Sequence, residues 1–554
     1  MPMLGSQRAP SQASGRAKRS IVVMTALAFL MPGVASAAEP VCVDVTDELG
    51  LDFRDAYGST VASSPMGEMM QRNMGSGAAV GDYDMDGDLD IYLLGQQGVS
   101  NRLFRNELRE TGRAGFSDVT DAAGVGDVGL GRVAQLADLD GDGWLDLLLI
   151  NDTDPEGALP PSRIFRNEGD GTFRDVTEGS GFTPVGYIVG GASLADLDGD
   201  ADLDLLITYW TQELGGDPAR PTGRGSLPAT NTLFINEGDM RFRDGTNGSG
   251  FAGVRNDSFA SVVADFDGDS DLDVYVAVDH QPDLYYEQTG HLEWAHRSGR
   301  VDESHKGNDM GVAVADLDSD GRLDMYLTNI TDPTGAFGTG SGNVLLGVKQ
   351  GRNGSTRFVD RTAGLGIEDT AWGWGAAFLD IDLDADLDLY AVQGMDEFVG
   401  DLSAPLRDAT SFLFLGEDGG FVRDDGSSCE IPGDQRALIP FDHDRDGDVD
   451  LLITQVDDRA ILLENRTPPG RSITVDLSQA GAIAPGATVR VDAAGKRVTQ
   501  VLLRGGSYLS GPPLEAVFGL GTADVADRVV VTWPDGRKTR LTDIRAGSIV
   551  RPLP

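Results

Sequence analysis

The chain has 554 residues, 40% of them hydrophobic, and a formal net charge of −45. The apolar share is enough for a core, which excludes general disorder. The strong negative field excludes nucleic acid and anionic lipid as partners.

Residues 1–37 read as an export signal. Arg16, Lys18 and Arg19 precede an apolar run, residues 21–30, and Ala35-Ser36-Ala37 suits cleavage after Ala37. The run is shorter than the ~20 residues of a spanning helix. No later segment is long and apolar enough, so the mature chain is expected to have no membrane span. An N-terminal anchor is the alternative. Export places the chain outside the cytosol: secreted, periplasmic or on the cell surface. The two cysteines, Cys42 and Cys429, then allow either a disulfide or two free thiols.

From residue 82 onward the chain repeats one acidic nonapeptide, Asp-x-Asp-x-Asp-x-x-x-Asp. Its seven copies place carboxylates at Asp82, Asp84, Asp86 and Asp90; Asp138, Asp140, Asp142 and Asp146; Asp196, Asp198, Asp200 and Asp204; and Asp265, Asp267, Asp269 and Asp273. The rest are Asp316, Asp318, Asp320 and Asp324; Asp380, Asp382, Asp384 and Asp388; and Asp442, Asp444, Asp446 and Asp450. Four carboxylates in one tight turn repel each other unless a cation joins them. An all-oxygen set selects a hard ion, and Ca²⁺ accepts crowded, flexible geometry better than Mg²⁺. Up to seven Ca²⁺ are expected. The ligands are the side chains at positions one, three, five and nine, with a backbone carbonyl from position seven. That position holds Asp88, Trp144, Asp202, Asp271, Arg322, Asp386 and Asp448. The loops account for 33 of the 89 acidic residues, so the charge is largely a property of the metal sites.

An EF-hand would need Glu at position twelve and flanking helices. Position twelve is Leu93, Leu149, Ile207, Val276, Leu327, Ala391 and Ile453, and a strand follows at once. A β-hairpin calcium loop is the expectation. Position six is Gly in four loops but Ala201, Ser270 and Ala385 in the third, fourth and sixth. Glycine reaches positive φ without strain, so weaker binding is expected in those three.

The loops start 56, 58, 69, 51, 64 and 62 residues apart. Each sits inside a longer unit. A small-residue run precedes it, as in Gly77-Ala-Ala-Val-Gly81, and an apolar strand follows, as in Leu147-Leu-Leu-Ile150. A third strand resembles Arg102-Leu-Phe-Arg-Asn106, and a fourth Phe116-Ser-Asp-Val-Thr120. Four short strands in each of seven units predict an all-β fold, a seven-bladed β-propeller over residues 38–470. The fourth-strand motif also occurs once too early, as Cys42-Val-Asp-Val-Thr46, while the seventh unit lacks it. The N-terminal strand can therefore complete blade seven, closing the ring and bringing Cys42 near Cys429. After Thr467-Pro-Pro-Gly470 the acidic loop disappears, and residues 471–554 read as hairpins of a small C-terminal β domain.

These motifs resemble FG-GAP/VCBS repeats, the calcium-loop propeller blades also found in integrin α-subunits. Gly505-Gly-Ser-Tyr508-Leu-Ser510, Phe518-Gly-Leu-Gly521 and Val531-Thr-Trp-Pro-Asp-Gly536 look like an ASPIC/UnbV domain. The combination is similar to bacterial secreted proteins of the cartilage acidic protein type. The resemblance implies a calcium-dependent extracellular module.

No nucleophile elbow, phosphate loop or dinucleotide fingerprint appears. His291 and His296 are five apart in a region expected to be an irregular connection, which disfavours a zinc helix; His443 is expected to be exposed within the seventh loop. Residues just before the first strands should rim one mouth of the central channel: Arg132, Asp257, Asn308, Asp309, Trp372, Trp374 and Arg436. They suit a sugar or peptide, with packing of the two tryptophans as the alternative. The sequence therefore favours an extracellular binding or adhesion module for a protein or glycan ligand. The competing expectations are a secreted lyase or hydrolase acting on carbohydrate at the channel mouth, and a purely structural surface component.

Overall fold

The computed structural model describes residues 39–554 except 57–70, 97, 153–159, 185–187, 212–229, 303–306, 332–341, 352–354, 396–409, 418 and 469. The expected export signal, residues 1–37, lies outside the described residues, as does His305.

Seven units of four antiparallel strands form the blades, five as separate sheets and those of blades one and five as parts of larger sheets. Blade one consists of Ala78–Gly81, Asp90–Leu93, Arg102–Asn106 and Phe116–Asp118 in that spatial order. Blades two to six start from Gly131–Ala137, Ile188–Ala195, Asp257–Ala264, Val312–Ala315 and Gly373–Leu379. Blade seven runs Gln435–Phe441, Asp450–Gln455, Ile461–Asn465 and then Cys42–Asp44, the N-terminal strand. Cys42 lies opposite Asn465 and Asp44 opposite Leu463. The first strands of successive blades touch around the ring, and that of blade seven reaches blade one. A disulfide joins Cys42 to Cys429, with Cα atoms 4.8 Å apart.

The motif of the fourth strand has a local cause. In blade one the Thr120 hydroxyl donates to Asp118 (2.6 Å) and accepts the Leu103 N–H (2.9 Å), so the ladder continues past the strand's end. Thr46 repeats this with Asp44 (2.7 Å) and Leu462 (2.8 Å) across the closure. Blade four departs from the motif: its outer strand is Glu293–His296, where an irregular connection was expected. Trp294 takes the place of the usual Phe, packs on Phe251 and donates its indole N–H to Leu272 O (2.9 Å).

Residues 471–554 continue the propeller's sheets and core. Ala315 of blade five pairs with Gln500, so that blade's sheet extends through Lys496–Leu502, Ala487–Ala493, Val525–Thr532 and Lys538–Arg545. Val489, Phe518 and Trp533 share one apolar cluster with Phe378 and Leu389 of blade six. A second sheet joins Glu515–Gly519, Ser472–Asp476 and Ser548–Val550.

Between these elements a finger, residues 504–511, enters the centre of the ring and touches the first strand of every blade. Ser510 and Gly511 pair with Ala78 and Ala79 of blade one. Gln135 donates to Ser510 O (3.3 Å) and Leu194 N–H to Arg504 O (2.9 Å). Phe259 meets the Tyr508 ring edge-on at 5.6 Å. Val312 N–H donates to Gly506 O (3.4 Å), Ala376 N–H to Ser507 Oγ (3.2 Å) and Leu438 N–H to Ser510 Oγ (3.3 Å). Gly505, at φ +130°, passes so close that a Cβ would stand 2.7 Å from Ala192 O. The small residues of the first strands thus make room for a plug as well as for one another.

Candidate metal loops and a cleft beneath the C-terminal domain

All seven acidic nonapeptides are described, and each forms the hairpin between the first and second strands of its blade. They share one internal bonding pattern. The N–H of position six donates to the position-one carboxylate in every loop, from 2.9 Å (Gly321 to Asp316) to 3.1 Å (Ala201 to Asp196, Gly447 to Asp442). The N–H of position seven donates to the position-five carboxylate, for Trp144 and Arg322 at 3.0 Å as well as for Asp88 at 2.9 Å. In six loops one oxygen of the position-nine Asp accepts the N–H of position two, as in Leu139 to Asp146 and Leu197 to Asp204, both 2.8 Å, while in loop four the Tyr285 hydroxyl donates to Asp273 (2.8 Å). Positions one and nine are therefore oriented by the fold itself.

The carboxylates converge. Asp82, Asp84 and Asp86 each bring an oxygen within 4.8 Å of the others, as do Asp138, Asp140 and Asp146, and Asp196, Asp198 and Asp204. Burial pushes the carboxyls of Asp146, Asp204 and Asp273 up to about 8, and repulsion by their loop neighbours adds to this. Asp82 is pushed up to about 7 by burial and by Asp86. Asp90 and Asp388 are pushed well above the usual range for the same reasons. Among the described residues, buried oxygens of Asp84, Asp86, Asp271, Asp382, Asp442 and Asp448 have no hydrogen-bond partner. Buried acceptors with no donor are costly. Converging carboxylates held by backbone N–H groups, with spare oxygens, fit a hard divalent ion.

The loops differ in detail. Ala201, Ser270 and Ala385 do adopt positive φ, at 74°, 74° and 70°, beside 103° for Gly87. Position four is left-handed too, and there Met85, Ser319, Leu383 and Arg445 stand in place of glycine. Loop six has glycine at neither position. The C-terminal domain covers it: Gly521 N–H donates to Leu383 O (3.1 Å), and the Lys496 ammonium lies 2.8 Å from Asp386. In loop five Arg361 reaches Asp318 (2.8 Å) and Asp324 (3.2 Å); in loop two Arg166 reaches Asp140 (2.7 Å). His443, expected to be exposed, is 1% exposed, with Nδ1 2.6 Å from Asp450. Position two turns toward the blade interior here, so its side chain must pack or pair.

The residues expected to rim a channel mouth are buried instead. Arg132 and Arg436 have no exposure, and Trp374 is 1% exposed. The C-terminal finger and residues 71–75 together fill this region, with Arg132 donating to Gln71 O (2.6 Å). Tyr508 packs on Trp374 and donates its hydroxyl to Met74 O (3.0 Å). Arg436 lies 4.3 Å over the Trp374 ring and donates to Asn73 O (2.7 Å). Arg132 pairs with buried Asp152 at 2.8 Å. Asn308, Asp309 and Trp372 are buried as well; Asp257 is half-buried. The two tryptophans pack, as the alternative expectation had it.

The open concavity is on the hairpin side. A cleft of about 1240 Å³ separates the acidic loops of blades one to four from residues 478–483, Pro534 and Arg537 of the C-terminal domain. Its walls include Asp86, Asp198, Asp202 and Asp271. His291 also lines it, with Nδ1 3.1 Å from Asp198 O, while His296 pairs with Ser298 (2.6 Å). The two imidazoles share no partner.

One set of residues escaped notice in the sequence. The Asn that ends the third strand, quoted above as part of a strand motif, bonds two acidic loops at once. Its recurrence in Asn106, Asn167, Asn236 and Asn465 was the available signal.

Comparison with known proteins agrees with this architecture. The model of the FG-GAP-like repeat matches residues 82–149, 138–207 and 265–327, and that of ASPIC and UnbV matches residues 478–551. Cartilage acidic protein 1 of Xenopus tropicalis is 27% identical over 189 residues, 30% of this chain and 25% of that protein. The match thus spans about a quarter of that relative's length. Among solved structures, an Agrocybe aegerita lectin described as recognising non-reducing terminal N-acetylglucosamine aligns with 64% of this chain and 79% of its own. Its identity is 16% and its TM-score 0.36. The V. cholerae biofilm matrix protein Bap1 aligns with 92% of this chain and 76% of its own, at 12% identity and TM-score 0.31. Both scores are too low to carry a functional reading. The chain carries FG-GAP-like repeats followed by a C-terminal ASPIC/UnbV segment.

Proposed function

We propose that this chain is an exported, calcium-dependent extracellular binding module: a propeller over residues 38–470 and a C-terminal domain over residues 471–554, released by cleavage after residue 37. The observation that carries the proposal is the sevenfold recurrence of one acidic hairpin held by the same backbone bonds, with buried, donorless carboxylate oxygens in loops one, four, six and seven. Ca²⁺ neutralises those cages and supplies no redox or acid–base chemistry there. The ligands are the four patterned aspartates of each loop and the carbonyl at position seven. The protein's own part is to orient positions one and nine by hydrogen bonds from the fold. Free Ca²⁺ is abundant outside cells, and extracellular calcium modules bind at about 10⁻⁴–10⁻³ M.

The recognition face of this proposal is the cleft under the C-terminal domain, for two reasons. The ring's centre is filled, and the cleft floor consists of the metal loops themselves. Filling those loops sets the floor's shape and charge, which makes capture of an extracellular protein or glycan calcium-dependent. A second reading, a carbohydrate lyase or hydrolase at the channel mouth, would draw its working residues from Arg132, Asp309 and Arg436; all three are buried, and no observation favours it. No helix among the described residues is long and apolar enough to cross a membrane.

Glycan and peptide arrays probed with residues 38–554, in calcium and in EGTA, test the proposal. The expected result is a set of ligands held in calcium and lost in EGTA. Retention of the same ligands in EGTA would contradict it.

A further inference from the structure

The third strand of a blade ends beside its own acidic loop and against the previous blade's loop. In blade two, Asn167 N–H donates to Asp146 Oδ1 (2.9 Å), the position-nine carboxylate of the same blade. The Asn167 side-chain Nδ2 donates to Tyr83 O (2.8 Å), the position-two carbonyl of loop one. Its Oδ1 accepts Gly169 N–H (2.9 Å), which fixes the amide so that the NH₂ must face the neighbouring loop.

The arrangement recurs. Asn106 joins Asp90 (2.9 Å) to His443 O of loop seven (2.8 Å). Asn236 joins Asp204 (2.9 Å) to Leu139 O of loop two (2.9 Å). Asn465 joins Asp450 (2.8 Å) to Ile381 O of loop six (2.8 Å). Gln288 joins Asp273 (2.9 Å) to Leu197 O of loop three over a longer 3.4 Å. All four asparagines are at most 1% exposed. The pattern stops at two blades. Gly416 keeps the backbone bond to Asp388 (2.8 Å) but has no side chain to reach loop five. In blade five the equivalent residue is Val348.

We infer that these amides are positioning residues that couple metal binding between adjacent loops, along the run six–seven–one–two–three–four. The inference rests on the calcium reading above. A metal on loop two would further restrain the Asp146 carboxylate, which already accepts the Asn167 N–H. The same residue's side chain holds Tyr83 O, between the ligands Asp82 and Asp84. Occupation of one loop therefore preorders its neighbour and lowers the cost of filling it, which is positive cooperativity. Loop five lies outside the run and binds independently.

Calcium titration of residues 38–554 by calorimetry tests this, comparing wild type with Asn167→Ala. Thr177→Ala, which breaks a ladder bond in the same blade without touching a neighbouring loop, reports a merely structural loss. The expected wild-type Hill coefficient exceeds one. In Asn167→Ala it falls toward one and half-saturation rises about 5-fold or more, the lower end of ordinary allosteric coupling. Thr177→Ala leaves the Hill coefficient at the wild-type value. Gln288→Ala removes the longest of the bonds and provides a second test should Asn167→Ala fail to fold; the same fall in Hill coefficient is expected. A wild type that binds calcium with a Hill coefficient of one, a coefficient above one that neither variant lowers, or one that Thr177→Ala lowers equally overturns the coupling alone. A wild type that binds no calcium overturns the calcium reading and this inference together.

Discussion

The Tyr508 ring stands 4.8 Å from the Trp374 ring, centroid to centroid, at the centre of the propeller. One ring comes from the C-terminal domain and the other from the first strand of blade six, so two parts far apart in sequence share one hub. Both side chains are at most 1% exposed. Replacement of Tyr508 by Ala leaves a large cavity where seven strands converge, and losses of about 3–5 kcal/mol are usual for a buried aromatic. Chemical denaturation should show that loss in a single transition, with blades and C-terminal domain unfolding together. Two separated transitions in the wild type would show that the hub does not couple them.

The ring is fastened a second time by Cys42–Cys429, which closes 387 residues and ties blade seven's outer strand beside the end of blade six. Changing both cysteines to serine should lower unfolding free energy by about 2–5 kcal/mol. The N-terminal strand should fray first, read as faster hydrogen exchange at Val43 and Val45 than at Val80 or Leu148. Unchanged exchange in the double variant would mean that strand pairing alone holds the closure.

How much of this was legible in the sequence follows from the range of each interaction. The strands, the loops and the N-terminal strand's place in blade seven were readable because each repeats a local pattern: small residues, acidic hairpin, Phe-x-Asp-x-Thr. Blade four's outer strand was missed because Trp294 broke that pattern while packing in the same slot. His443 was misplaced because position two faces inward, a fact that the alternation of loop ligands does not reveal. The finger was not legible at all. Gly505-Gly506-Ser507-Tyr508 stands out in the sequence only as part of the ASPIC/UnbV-like motif, and only the folded ring shows that its glycines let the backbone pass between first strands. With the finger unseen, Arg132 and Arg436 looked like residues of an open mouth.

Asp55 gives a pH dependence independent of the metal loops. It is buried, and its carboxylate accepts Ser76 Oγ (2.7 Å), Gln96 N–H (3.0 Å) and Gln96 Nε2 (3.1 Å). Burial nevertheless wins and pushes its carboxyl up from 3.8 to about 6. The folded state thus holds this proton more tightly than the unfolded chain. Its contribution to stability is complete below about pH 4 and lost as pH rises through about 6, on the order of 3 kcal/mol in total. Asp55→Asn removes the titration, so the variant's stability relative to wild type should rise between pH 4 and 7. A difference independent of pH across that range would show that Asp55 titrates normally.

The seven cages are the centre of the account, and counting ions tests them most directly. Equilibrium dialysis of metal-stripped residues 38–554 against millimolar ⁴⁵Ca²⁺ should approach seven ions per chain, with the third, fourth and sixth loops filling last. At ten times its dissociation constant each independent site would add about 1.4 kcal/mol to stability. A chain that stays folded in EGTA and takes up one ion or none at millimolar calcium would contradict the account.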